Sequence, residues 1–166
     1  MSFETVSTPV SDSEIVLPKA TRPGSFAALM GLYESNYVRL GWLLGELSDM
    51  GGYYRSTVAN DLTLHVSVLD VQRYTTTFKM TYWFDVDGQW VADPDLDVRV
   101  YHDARLAEVM SWRSGGRNKI LRAFDADQGS ELDRRWTRNT MLNKWLEYCI
   151  DLGHRFEPVD GCSTGS

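Results

Sequence analysis

The chain has 166 residues, enough for one domain with a sizeable apolar core, and its 17 basic against 23 acidic residues give a formal charge of −6. That balance opposes a mainly nucleic-acid-binding role, although it reverses between positions 99 and 122, where Arg99, Arg105, Arg113, Arg117, Lys119 and Arg122 face only Asp103 and Glu108. The two cysteines, Cys149 and Cys162, make no disulfide framework, and no stretch approaches the roughly 20 apolar residues of a membrane span. The expectation is a cytoplasmic protein without a membrane segment.

Residues 1–23 are rich in Ser, Thr, Glu and Asp, hold Pro9, Pro18 and Pro23, and show one aliphatic patch at Ile15-Val16-Leu17, so they read as a disordered leader. A single α+β domain is expected over 24–154 and a flexible tail over 155–166, with fraying already from His154. Ser25 is placed to cap a helix. Behind it Phe26, Met30, Tyr33, Tyr37, Leu40, Leu44 and Leu47 recur at spacings of three and four, which predicts a long amphipathic helix ending near Ser48-Asp49 before Gly51-Gly52.

From Tyr53 the period becomes two. Leu62, Leu64, Val66 and Val68 alternate with polar residues, and after Asp70-Val71-Gln72-Arg73 the pattern resumes through Tyr74, Thr76, Phe78, Met80, Tyr82 and Phe84. A first strand is expected at Tyr53–Val58. The run Asp85-Val86-Asp87-Gly88 and the run Asp93-Pro94-Asp95 bound a predicted loop holding Gln89 and Trp90. Further strands are predicted at Asp97–His102, Arg105–Trp112 and Arg117–Asp125, the last two joined across Ser114-Gly115-Gly116. Ser130 and Asp133 then have capping-box spacing, and Leu132, Trp136, Leu142, Trp145, Leu146, Cys149 and Leu152 mark the apolar side of a final helix that Gly153 ends.

These elements define an α+β fold: an antiparallel meander sheet of about six strands, with one long helix before it and one after it. Both helices are expected on one face. The opposite face would carry His65, Thr75, Thr77, Lys79, Thr81 and Trp83, and would line a cup if the sheet curls.

The most chemically able stretch is Val98 to Val109. Alternation places Arg99, Tyr101 and Asp103 on one face and Val98, Val100 and His102 on the other. An acid–base pair of His102 with Glu108 across the hairpin is a weak catalytic candidate, set against a turn held by Asp103 with a packed His102. His65, His102, Asp103 and Glu108 lack the spacing of a metal site, and there is no nucleophile elbow or phosphate-binding loop, so neither metal nor cofactor is expected. Cys149 reads as inert core. Trp83, Trp90, Trp112 and Trp136, taken with the basic run through Arg113, Arg117, Lys119 and Arg122, leave an RNA-binding surface as a minor alternative.

The run Val98-Arg99-Val100-Tyr101-His102-Asp103-Ala104 followed by Ala107-Glu108-Val109 resembles the YqiB-like proteins, an uncharacterised family of Gram-negative bacteria. Glu34-Ser35-Asn36-Tyr37 with Leu40, Arg73-Tyr74-Thr75-Thr76 and Trp145-Leu146-Glu147-Tyr148-Cys149 extend the resemblance across residues 26–153. It implies a cytoplasmic housekeeping or regulatory role and supplies no reaction. The chain departs from the family in its longer leader, its acidic stretch from Asp85 to Asp97 and a slightly shortened entry to the last helix. The expected function is a non-enzymatic binding or regulatory module. Arg73, Tyr74, Arg99, Tyr101, His102 and Asp103 would hold a protein partner or a small anionic ligand; a small hydrolase or isomerase with His102 as general base is the alternative.

Overall fold

The structure, a computed structural model, describes residues 25–113 and 129–159. Helix α1 spans Phe26–Leu44; the Ser25 side chain caps it by accepting from the Ala28 N–H at 3.1 Å. It stops earlier than its apolar period predicts, because Gly45 takes a φ of +82°, and Leu47–Asp49 continues as a separate 3₁₀ turn. Helix α2 spans Glu131–Asp151 and carries the expected reciprocal capping box between Ser130 and Asp133.

Between the helices run β1 (Tyr53–Ser56), β2 (Leu64–Val71), β3 (Thr75–Val86), β4 (Gln89–Tyr101) and β5 (Leu106–Arg113), and β6 (Glu157–Pro158) follows α2. The sheet is antiparallel and open, in the order β5-β4-β3-β2-β1-β6. The α+β meander between two helices is thus as the sequence predicts. The predicted leader and the predicted strand Arg117–Asp125 lie outside the described residues. The sixth described strand is β6, so residues 154–159, expected to fray or hang free, instead pack on the sheet edge: Phe156 is buried and Glu157 pairs with Arg55.

The predicted loop from Asp85 to Asp97 is corrected to a strand. Asp87 and Gly88 both have positive φ, +53° and +83°, which makes a tight turn whose twist suits a hairpin, and pairing resumes at once with Val86 opposite Gln89. Pro94 is accommodated because the ladder shifts register there, between Thr81 and Trp83, at a cis Asp93–Pro94 bond.

One sheet face, with Leu64, Val66, Phe78, Met80, Tyr82, Leu96, Val98, Val100, Ala107 and Val109, is buried with α1 and α2 residues in one core. The face of α1 that packs is rotated from the one its apolar spacing marks: Phe26 is 68% exposed, whereas Asn36 is fully buried. That face buries Ala28, Leu29, Leu32 and Leu43, and Asn36 joins it through a polar network. The Asn36 amide donates to the Ala107 carbonyl and to Asn139 Oδ1, Asn139 Oδ1 accepts the Val109 N–H at 2.9 Å, and Asn143 donates to Asn36 and Ser35. Among the described residues β5 is the last strand on its side of the sheet, and these asparagines satisfy backbone groups of its Ala107 and Val109.

Candidate functional site

The structure gathers most of the residues singled out from the sequence at one end of the sheet, where the β2–β3 and β4–β5 turns lie side by side. Thr75 is paired with Tyr101, the Gln72 N–H closes the first turn on the Thr75 carbonyl, and the His102 N–H donates to the Tyr74 carbonyl at 2.9 Å. The last bond ties the two turns together. Arg73 lays its guanidinium over the Tyr74 ring, 5.0 Å from the centroid, and both side chains are exposed. Leu69, displaced by a bulge in β2, and Val71 add exposed aliphatic surface at the same strand end.

Along β4, Arg99 and Tyr101 point to the open face, as alternation predicts. The Arg99 Nε donates to Thr77 Oγ1 at 3.2 Å and the Tyr101 hydroxyl donates to Glu108 at 2.6 Å. Burial, then the Glu108 carboxylate, hold the Tyr101 hydroxyl above its ordinary pKa, so it stays a donor at neutral pH. His102 points the other way, and its Nε2 meets Thr76 Oγ1 at 2.9 Å while its buried Nδ1 has no partner among the described residues. The proposed acid–base pair is therefore not assembled: Glu108 stands opposite Arg99 on the open face and takes its hydrogen bond from Tyr101, not from His102. Asp103 is exposed in the turn, where Arg105 adopts a φ of +56°.

Farther along the open face, Lys79 bridges Asp95 and Asp97 at 2.9 Å each, and Arg113 bonds Asp95 at 2.8 Å. Arg113, expected in a basic nucleic-acid surface, is thus neutralised by β4. Arg117, Lys119 and Arg122 lie outside the described residues. Among the described residues no three His, Cys, Asp or Glu side chains converge as a metal site, and no helix is long and apolar enough to cross a membrane. Cys149 is buried, and that burial pushes its thiol pKa up, away from the reactive thiolate.

Sequence reasoning missed a second polar cluster. His154 joins Ser56 through Nδ1 at 2.8 Å and Asp61 through Nε2 at 2.9 Å, and Asp61 also accepts from Tyr82, whose hydroxyl accepts from Trp145 at 3.3 Å. A Ser, a His and an Asp in a row have the composition of a nucleophilic triad. The hydrogen-bond inventory assigns them otherwise. Ser56 Oγ accepts the Arg155 N–H and donates to Nδ1, leaving Nε2 to donate to Asp61, so Ser56 is bonded on both sides and only 2% exposed. A nucleophile needs a substrate within reach; this serine fastens the chain after α2 to β1.

Residues 39–155 match the family described as Protein of unknown function (DUF1249). The chain belongs to the DUF1249 family. Among its relatives, the Uncharacterized protein YqiB of Escherichia coli strain K12 is 30% identical over 134 residues, covering 81% of this chain and 94% of the relative. The proteins of the same name from E. coli O6:H1 and O157:H7 match to the same extent. No solved structure matches the chain significantly. The DUF1249 match spans every strand through β5 and all of α2, so it takes in both turns of the clustered end and the His154 network.

Proposed function

We propose that this DUF1249 protein is a cytoplasmic, non-enzymatic binding or regulatory module. Its contact surface is the paired-turn end bearing Arg73, Tyr74, Arg99, Tyr101, His102 and Asp103, and its ligand is a protein partner or a small anion. The observation that supports this reading best is the His102–Tyr74 backbone bond, which fixes an exposed, arginine-stacked tyrosine beside a second exposed turn. Tyrosine and arginine held in place lose little entropy on binding and supply both apolar area and charged donors. Exposed Leu69 and Val71 beside them favour a protein partner over an anion alone.

Hydrolysis or isomerisation through His102 has no carboxylate partner to orient the ring, and its Nε2 is engaged by a buried threonine. The test is capture of partners from bacterial lysate by the native chain and by Arg73→Ala/Tyr74→Ala. The double variant should lose the captured species while unfolding as cooperatively as the native chain. Equal capture by both would overturn the assignment of this surface.

A further inference from the structure

The open face carries a second feature. Tyr53 is opposite Ser67, His65 opposite Thr81, and Trp83 opposite Ala92. Each next aromatic, His65, Trp83 and Trp90, stands two residues from that opposite position, so Tyr53, His65, Trp83 and Trp90 form a diagonal across four strands. Diagonal neighbours in an antiparallel sheet lie about 7–8 Å apart, within reach of ring-to-ring contact. The Tyr53 hydroxyl bonds His65 Nδ1, and their rings are tilted at 45° with centroids 5.7 Å apart. Burial, and then the Arg55 charge, hold the His65 pKa below its ordinary value, so the ring is neutral at neutral pH.

His65, Trp83 and Trp90 line an open groove of about 370 Å³. Trp83 is 39% and Trp90 69% exposed, and among the described residues neither indole N–H has a hydrogen-bond partner. Among the described residues β3 pairs with β2 as far as Tyr82 and β4 with β5 from Asp95 onward, whereas 83–86 and 89–92 pair only with each other, so the groove lies on the face of this hairpin. An occupant lying on that face meets ring faces and indole donors. An extended polyproline-type segment fits that chemistry: its pyrrolidine rings pack on aromatic ridges, and its carbonyls, unpaired within the segment, accept from indole N–H groups.

Charge completes the match. Asp85 stands opposite Trp90 and Asp87 follows it in the turn, so this end of the groove is negative, while Arg55 opposite His65 makes the other end positive. We propose that this groove docks an extended, proline-rich peptide segment carrying a basic residue at the Asp85–Asp87 end. Single-stranded nucleic acid, which also stacks on aromatic platforms, would meet two carboxylates beside the more exposed tryptophan.

The groove is a different surface from the paired turns, so Arg73→Ala/Tyr74→Ala should leave its binding unchanged, and the two readings fail separately. The test is an NMR titration of the full chain with a synthetic proline-rich peptide bearing arginine at one end, following the indole N–H signals. The expected result is saturable shifts of the Trp83 and Trp90 signals. Trp90→Ala should weaken binding by about tenfold or more. Asp85→Asn, which keeps an acceptor for the Gly88 N–H, should weaken it by roughly threefold at low salt and less at high salt. Absence of saturable shifts, unchanged affinity in Trp90→Ala, equal binding of a glutamate-flanked peptide, or saturation by oligothymidylate in place of the peptide would overturn the proposal.

Discussion

His154 and His102 each bond a hydroxyl on a strand, Ser56 for the first and Thr76 for the second, yet they occupy opposite kinds of surroundings. The second nitrogen of His154 reaches Asp61, its side chain is fully buried, and every group it touches is bonded again beyond it. The second nitrogen of His102 has no partner among the described residues, and its backbone holds together two turns whose tips are exposed. A chain of catalytic residue types closed on itself is a fastener. The less complete site presents its side chains outward, as the proposed contact surface requires.

This contrast sets the order of the expected mutational effects. His154→Ala takes one buried hydrogen bond from each of Ser56 and Asp61 and opens a cavity, so it should cost about 3 kcal/mol, or roughly 6–12 °C in Tm. A loss as small as that of a surface substitution would show that the fastener is dispensable. Asn139→Ala frees the Val109 N–H of β5 and cuts one of the asparagine links between the helices, leaving that of Asn143, which should cost about 2 kcal/mol by urea unfolding. His102→Ala removes one side-chain bond and should cost about 1 kcal/mol. If it proved more destabilising than His154→Ala, the two histidines would have been assigned the wrong way round.

The smallest effect is on the open face. Burial alone would raise the Asp95 pKa, but Lys79 and Arg113 hold it below its ordinary value of 3.8. A carboxylate with a depressed folded-state pKa contributes stability that is present above its unfolded value and lost as pH falls through the folded one. Unfolding midpoints should therefore decline below about pH 4, and less so in Asp95→Asn. Identical acid profiles would remove this ion network from the account.

How much of this was legible in the sequence follows from the range of the interactions. Alternation through Phe78, Met80 and Tyr82 is local, and so are the Ser25 cap and the Ser130–Asp133 box; each was readable because cause and effect lie within a few residues. The strand through Gln89 and Trp90 was obscured by Pro94, whose missing N–H argues against a strand unless a bulge in the ladder removes the need for it. Asn36 was hidden inside an apolar period, since its burial depends on Asn139 and Asn143 more than a hundred positions away.

His154 was hidden more deeply: it follows a helix-ending glycine in a polar segment, and its partners are 98 and 93 residues distant. A lone histidine after Gly153 gives no local sign of them. At the candidate site, the opposite facing of Arg99 and His102 was readable from the period of two. The proximity of Arg73 and Tyr74 to them was not, because it depends on β2–β3 and β4–β5 turning at the same end.

We propose that the paired-turn end, not the His154 cluster or the outer helix surfaces, meets the partner. Hydrogen–deuterium exchange of the native chain with and without its captured partner tests this most directly. Protection confined to the peptides spanning Gln72–Thr75 and Tyr101–Arg105 is the expected result. Protection along the outer faces of α1 and α2, with those two turns unchanged, would contradict it.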